Sequence, residues 1–413
     1  MKTLIAAVGL LLLSISLHAD NVSLNLLWES TTFRRTNTDH AQSVAALHNR
    51  TIVGEILGRP ADPNTDVAVK GFNATTGDLI WTDEFPGFWV NVEIAHGLAI
   101  AVASIPRQVD GSNLLLRGYN AHDGTILWTT QTLHTFSSPQ HILLRGNRLA
   151  VVGYTESGGP PLNGPLGGFI QVFNAGTGEK LWSTLVSEPA MLPLRDTVFW
   201  DVDEAGHHLI SLSTVGPGVD RDVVLRSYRF RDGFLEWSVT IPKTFAVNLQ
   251  ISNGEVFVAG FENAPIASYL AAFDVDTGNL RFKASPNPGE SITSLNVTDT
   301  RIAVGGSGSL RVYDRATKAL LFAKFPAPGT EDSIFRALIL PFDRILVLSL
   351  LNFNPPSPLN QPVIRILDDT GGVLAETFPS TTFADVVISQ NRITIAGSSP
   401  AGALVRTYGV TLP

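Results

Sequence analysis

An aromatic residue, a tight turn and a second aromatic nine residues after the first recur along this chain. The copies run from Phe72 to Trp81, Tyr119 to Trp128, Phe173 to Trp182, Tyr228 to Trp237, Phe273 to Phe282 and Tyr313 to Phe322. Self-similarity at a period of tens of residues means repeated supersecondary units, each too small to bury its own apolar face and each stacking on the next. A residue that recurs in every unit is therefore read first as structural.

Each unit reads as four short strands. Ahead of the aromatic pair stands an apolar run, clearest in Leu98-Ala-Ile-Ala-Val-Ala103 and repeated in Leu149–Val152, Val256–Ala259, Ile302–Val304, Ile345–Leu348 and Ile393–Ala396. Such runs, bounded by Asn, Asp and Gly, are strand signals. The polar pairs before them, such as Asn49-Arg50, His96-Gly97 and Asn253-Gly254, are hairpin turns that tolerate positive φ. The first aromatic lies on the third strand. Gly77, Gly124, Gly178, Gly233 and Gly278 then fill a left-handed turn position, and the second aromatic lies on the fourth strand. A ring there can wedge against the neighbouring sheet and bury about 150–250 Å².

Complete units end at Trp81, Trp128, Trp182, Trp237, Phe282, Phe322 and, in degraded form, near Glu376. The segment Thr382–Tyr408 supplies three more strands, and Ser23–Trp28 supplies one. Joined, they make an eighth unit and protect the edges of the array. The expectation is an all-β, eight-bladed β-propeller of four-stranded antiparallel blades, the last closed by the N-terminal strand. Trp28, Trp81, Trp128, Trp182, Trp237, Phe282 and Phe322 are its docking aromatics.

Residues 1–19 read as a signal peptide: Lys2, the apolar stretch Leu4–Leu13, and small Ala19. The stretch is too short to span a bilayer, and residues 20–413 read as a single propeller domain, exported to a periplasmic or secreted location as a monomer. Losing that segment removes Lys2 and takes the net charge from −8 to −9, against a nucleic-acid partner, which needs many Lys and Arg contacts to phosphate. The chain has no cysteine, so it uses no disulfide.

Ala74-Thr-Thr-Gly-Asp-Leu-Ile-Trp81 and Ala175-Gly-Thr-Gly-Glu-Lys-Leu-Trp182 resemble the repeat of pyrroloquinoline-quinone (PQQ)-type propellers, and looser copies extend the resemblance over the mature chain. The family holds quinone-dependent alcohol dehydrogenases and also cofactor-free binding propellers, among them the lipoprotein of the outer-membrane barrel-assembly machinery. The dehydrogenases use an adjacent cysteine pair, a calcium ion and an Asp base. This chain has no cysteine, and no calcium or base position can be matched. The barrel-assembly members carry a lipobox cysteine where this chain has Ala19-Asp20.

Two regions can carry function. Insertions concentrate between second and third strands, at Arg59–Asp66, Ile105–Asn113, Glu156–Gly168, Val215–Asp222 and Leu351–Pro362. These share one face, and variable insertions on one side mark a binding face. Counted back from the second strand, His141, Asp201, Asp203, Asn248, Gln250, Ser294, Asn296 and Asp385 fall on one side of the innermost strands, near the axis. There they can bind a cation such as Ca²⁺ or a small polar ligand, or simply line a wet channel. Trp89 and Trp200 align with each other near one channel mouth. His207-His208 follows the turn Ala205-Gly206, and adjacent histidines on a strand face opposite ways, so no metal is expected there. The leading reading is a non-enzymatic propeller that binds a protein or extended ligand through its long-loop face, without a cofactor. The alternative is a PQQ- or calcium-binding propeller acting as a quinone-dependent dehydrogenase.

Overall fold

The computed structural model describes residues 22–412 except 33–38, 59–64, 107–111, 133–136, 157–165, 186–197, 204–205, 216–220, 243, 264–265, 285–291, 307–308, 325–329, 354–360, 380–381 and 400–401. The candidate signal peptide and the tips of the long insertions lie outside the described residues.

The described strands form eight separate four-stranded antiparallel sheets, the blades of a β-propeller. In seven of them the strands follow sequence order. In blade eight, strand β1 (Ser23–Thr32) pairs with Gly402–Thr411 from the other end of the chain. The eight-bladed reading and its closure by the N-terminal strand both hold.

Blades are joined by the repeated aromatics. Each indole Nε1–H donates to a backbone carbonyl in the next blade: Trp28 to Ala74, Trp81 to Ala121, Trp128 to Ala175, Trp182 to Phe230 and Trp237 to Val275, at 2.9–3.3 Å. The ring lies flat under the left-handed glycine of that turn. Gly178 has φ +72°, and a methyl group there would overlap the Trp128 ring. Glycine thus answers two demands at one position, positive φ and close approach. Blade six departs from the rule: Lys318 adopts the left-handed conformation, φ 59°, and its ammonium pairs with Glu255 at 2.9 Å. The aromatic of the blade before it is the smaller Phe282.

Blade seven has no docking aromatic. The residue at that place is Ala375, paired with Ile366 as Trp128 is with Gly118, one residue before the expected position near Glu376. The cause lies in blade eight, where the chain ends meet and no third-to-fourth-strand turn exists to be wedged under. Leu374 and Ala375 instead pack with Val22, Leu24, Val410 and Leu412 in one aliphatic cluster.

Candidate functional site

The innermost strand of each blade has a sheet neighbour on one side only, so half of its N–H and C=O groups face the next blade unpaired. Buried groups of this kind need partners. Two rings of side chains supply many of them. Residues opposite the second strand at equivalent register form an outer ring of Ser43, Asn91, His141, Phe199, Asn248, Ser294, Arg336 and Asp385. Two residues further along each strand lies an inner ring of Ala45, Glu93, Leu143, Asp201, Gln250, Asn296, Leu338 and Val387.

The polar members reach forward to the next blade. Gln250 donates from Nε2 to the Val297 carbonyl at 3.0 Å and accepts the Val297 N–H at 2.7 Å, as a strand would. Asp201 accepts the Ile251 N–H at 2.7 Å and Asn296 that of Ile339 at 2.8 Å. In the outer ring, Ser43 accepts from Val92 N–H, Ser294 from Ala337 N–H, and Asp385 from Val44 N–H at 2.9 Å. Asn248 donates weakly to the Thr293 carbonyl at 3.4 Å. The Gln250→Ala variant should lose about 1–3 kcal/mol, because Val297 then keeps an unpaired donor and acceptor. Denaturant unfolding measures this, and an unchanged midpoint would show that the clasp contributes nothing.

Register explains where the candidates fall. Asp201 belongs with Gln250, not with Asn248, because the first hairpin of blade four is longer. Val202 pairs with Leu209, whereas Ile251 pairs with Val256. The extra length puts Asp203 in the turn, where its carboxylate accepts the His207 and His208 N–H groups. Trp89 pairs with Ser104 and Trp200 with Ser211, while the equivalent residues of those strands are Ala99 and Leu209, opposite Tyr119 and Tyr228. The two tryptophans are thus not at matching positions, and the Trp200 side chain lies outside the described residues. The His208 ring lies between Glu236 and Asp276 at 2.7 and 3.1 Å.

A cavity of about 570 Å³ runs along the axis, lined among others by Trp89, Glu93, His141, Arg336 and Asp385. Of the sequence candidates it gathers Trp89, His141 and Asp385, and leaves Asp201, Asn248 and Gln250 outside its lining. Glu93 and Arg336 were not among the candidates. Burial pushes the Glu93 carboxyl up to about 7, with Asp385 adding to the rise and Arg145 opposing it. Burial likewise raises Asp201 to about 6 against the N–H groups of Ile251 and Val202. Asp385 is raised by burial, against the Val44 N–H and Arg336. Enclosure, then Arg336, lower His141 below the usual imidazole value.

A calcium–quinone pair does not fit these residues. The chain has no cysteine, and among the described residues no three His, Asp or Glu side chains converge. Nor is any described helix long and apolar enough to cross a membrane.

Residues 25–191 match the family model of outer membrane protein assembly factor BamB. No curated protein matches the chain. Among solved structures, BamB from Moraxella catarrhalis is 14% identical with a TM-score of 0.57, over 94% of this chain and 99% of that one. Sqt1 from Saccharomyces cerevisiae is 12% identical, TM-score 0.64, over 95% and 100%. Quinohemoprotein alcohol dehydrogenase ADHIIG from Pseudomonas putida HK5 is 11% identical, TM-score 0.59, over 94% and 76%. At such identities the structural likeness speaks for the fold alone. The repeat, the eight closed blades and the match over residues 25–191 together support a PQQ-like β-propeller family for this chain.

Proposed function

We propose that this protein is an exported, non-enzymatic propeller that binds a protein or extended ligand through the face bearing its second-to-third-strand connections. One observation carries the reading. The third-to-fourth-strand connections are uniform, at 74–78, 121–125, 175–179, 230–234, 275–279, 315–319 and 368–372. The second-to-third connections run from two residues at 264–265 to nine at 157–165. The first-to-second-strand hairpins on the opposite face vary less, from two residues at 96–97 to five at 203–207, and the larger variation in a repeat array marks the binding face. The matching family is described as an assembly factor for outer membrane proteins, which supports a protein partner. The leader-like residues 1–19 support export. The commitment of Asp201, Gln250, Asn296 and Asp385 to clasps between blades argues against a catalytic constellation on those residues.

Crosslinking in the producing cell tests the proposal. A protein with 157–165 and 354–360 shortened should lose a crosslinked partner that the unaltered protein and a Thr76→Ala control retain. Equal recovery from all three would sink the assignment to this face.

A further inference from the structure

We propose that the axial cavity binds a singly charged organic cation, an alkylammonium or guanidinium group, with Glu93 as its counter-ion and Trp89 as an apolar wall. This rests on the two rings and not on the existence of a protein partner. At the inner-ring position, Asp201, Gln250 and Asn296 each clasp the next blade. Glu93 occupies the same position in blade two and clasps nothing: its carboxyl forms no hydrogen bond or ion pair with the described side chains. Its carboxyl lines the cavity instead. A half-buried carboxylate without a partner side chain is costly to keep ionised, and a bound cation offsets that cost.

The other charges in the cavity are already matched. Asp385 accepts the Val44 and Val386 N–H groups and stands 3.6 Å from Arg336. Desolvation, then Arg336, lower His141 below the usual imidazole value, which disfavours a positive charge there. Glu93 is the acid of this lining without a hydrogen-bonded or ion-paired side chain, Arg145 acting on its charge without such a contact, which suits a single positive charge. The absence of three converging ligands among the described residues disfavours a divalent metal, since hard cations take six or more oxygens. A volume of about 570 Å³ lies within the range of small-molecule pockets. Trp89 lines the same cavity, and an indole face attracts a cation. Trp89 opens its strand, at the end joined to the preceding blade, so it marks the cavity end on the face of the variable connections.

The sign of the pH dependence follows. The groups acting on Glu93 are Asp385, which favours its protonated form, and Arg145, which favours the carboxylate. Arg336 and His141 share the cavity, and Asp201 bears on it through Arg145. With the carboxyl titrating at about 7, it is mostly protonated at pH 6 and mostly ionised at pH 8. A cation that needs the carboxylate should bind about tenfold more tightly at pH 8 than at pH 6.

Isothermal titration of the whole mature protein with n-butylammonium, propylguanidinium and Ca²⁺ tests this. A capped lysine amide distinguishes a free small cation from a basic side chain presented by a protein. The expected result is saturable binding of at least one organic cation at pH 8, about tenfold weaker at pH 6 and lost in Glu93→Gln. Trp89→Phe, which keeps the acid, should bind severalfold more weakly. The proposal is overturned by no saturable binding, by Glu93→Gln binding like the parent, or by Ca²⁺ binding while the organic cations do not. If Glu93→Gln fails to fold, affinity of the parent that stays flat between pH 6 and pH 8 overturns it equally.

Discussion

A protein lacking residues 22–32 should lose its cooperative fold. β1 is the only strand of blade eight that comes from the N-terminal side, and it pairs with Ala403–Thr411, interrupted by a register shift between Leu26 and Trp28. Its Trp28 stacks on Phe72 with ring centroids 5.9 Å apart and donates to the Ala74 carbonyl. That one ring ties blade eight to blade one in a cluster with Val44, Val53, Ala396 and Val405. Without β1, several strand hydrogen bonds go, each contributing about 0.5–1.5 kcal/mol, and so does a buried Trp, about 3–5 kcal/mol when truncated. The sum matches the whole stability of a typical domain, about 5–15 kcal/mol. The edge left on Gly402–Thr411 is long and apolar, the kind that aggregates. The truncated protein should therefore elute as aggregates and show no sharp thermal transition. Adding a peptide spanning residues 22–32 during refolding should restore monomer. A truncated chain that stays monomeric and melts where the parent does would show that closure contributes little.

The circumference of this molecule is legible in its sequence and the axis is not. Around the circumference, indole and turn glycine meet at five of the eight blade junctions and Phe322 meets Gly371 at a sixth, so ring and turn must recur at fixed spacing. The missing aromatic, with Ala375 in its place, marks the junction where the chain ends meet. At the axis the decisive contacts join side chains to backbone in another blade, 43 to 50 residues away or, for Asp385 and Val44, 341 residues away, and leave no local signal. Counting back from the second strand also assumes hairpins of one length. The longer hairpin of blade four moved Asp201 to the other ring and Asp203 into a turn. In blade two the apolar run starts at Leu98, but the register equivalent is Ala99, opposite Tyr119. A slip of one residue exchanges the two faces of a strand, so Asn91 and Glu93 were hidden behind Val90 and Val92. Aligning on the residue opposite the first aromatic would have found Glu93.

Trp128→Ala should destabilise the protein by about 3 kcal/mol, the low end for truncating a core tryptophan, because this ring is half-buried. Three contacts go together. The ring covers Gly118 within its own blade and Gly178 of the next, and neither glycine has a side chain to fill the space. The Ala175 carbonyl loses its indole donor at 2.9 Å. Thr130, on the same strand, still donates to the Gly178 carbonyl at 2.7 Å, so the junction between blades two and three is weakened rather than opened. Trp128→Phe should recover part of the loss, since Phe282 and Phe322 serve at other junctions, but not the hydrogen bond. The pairing of ring with glycine makes a sharper test. Gly178→Ala alone forces a left-handed φ of 72° on alanine and a methyl group into the indole, so it should cost about 1–3 kcal/mol. In the double variant the clash is gone and only the φ term remains, so the two losses should fall short of additivity by about 1 kcal/mol or more. Additive losses in denaturant unfolding would mean that Trp128 does not rest on Gly178 in solution, and the account of how the blades are joined would fail with it.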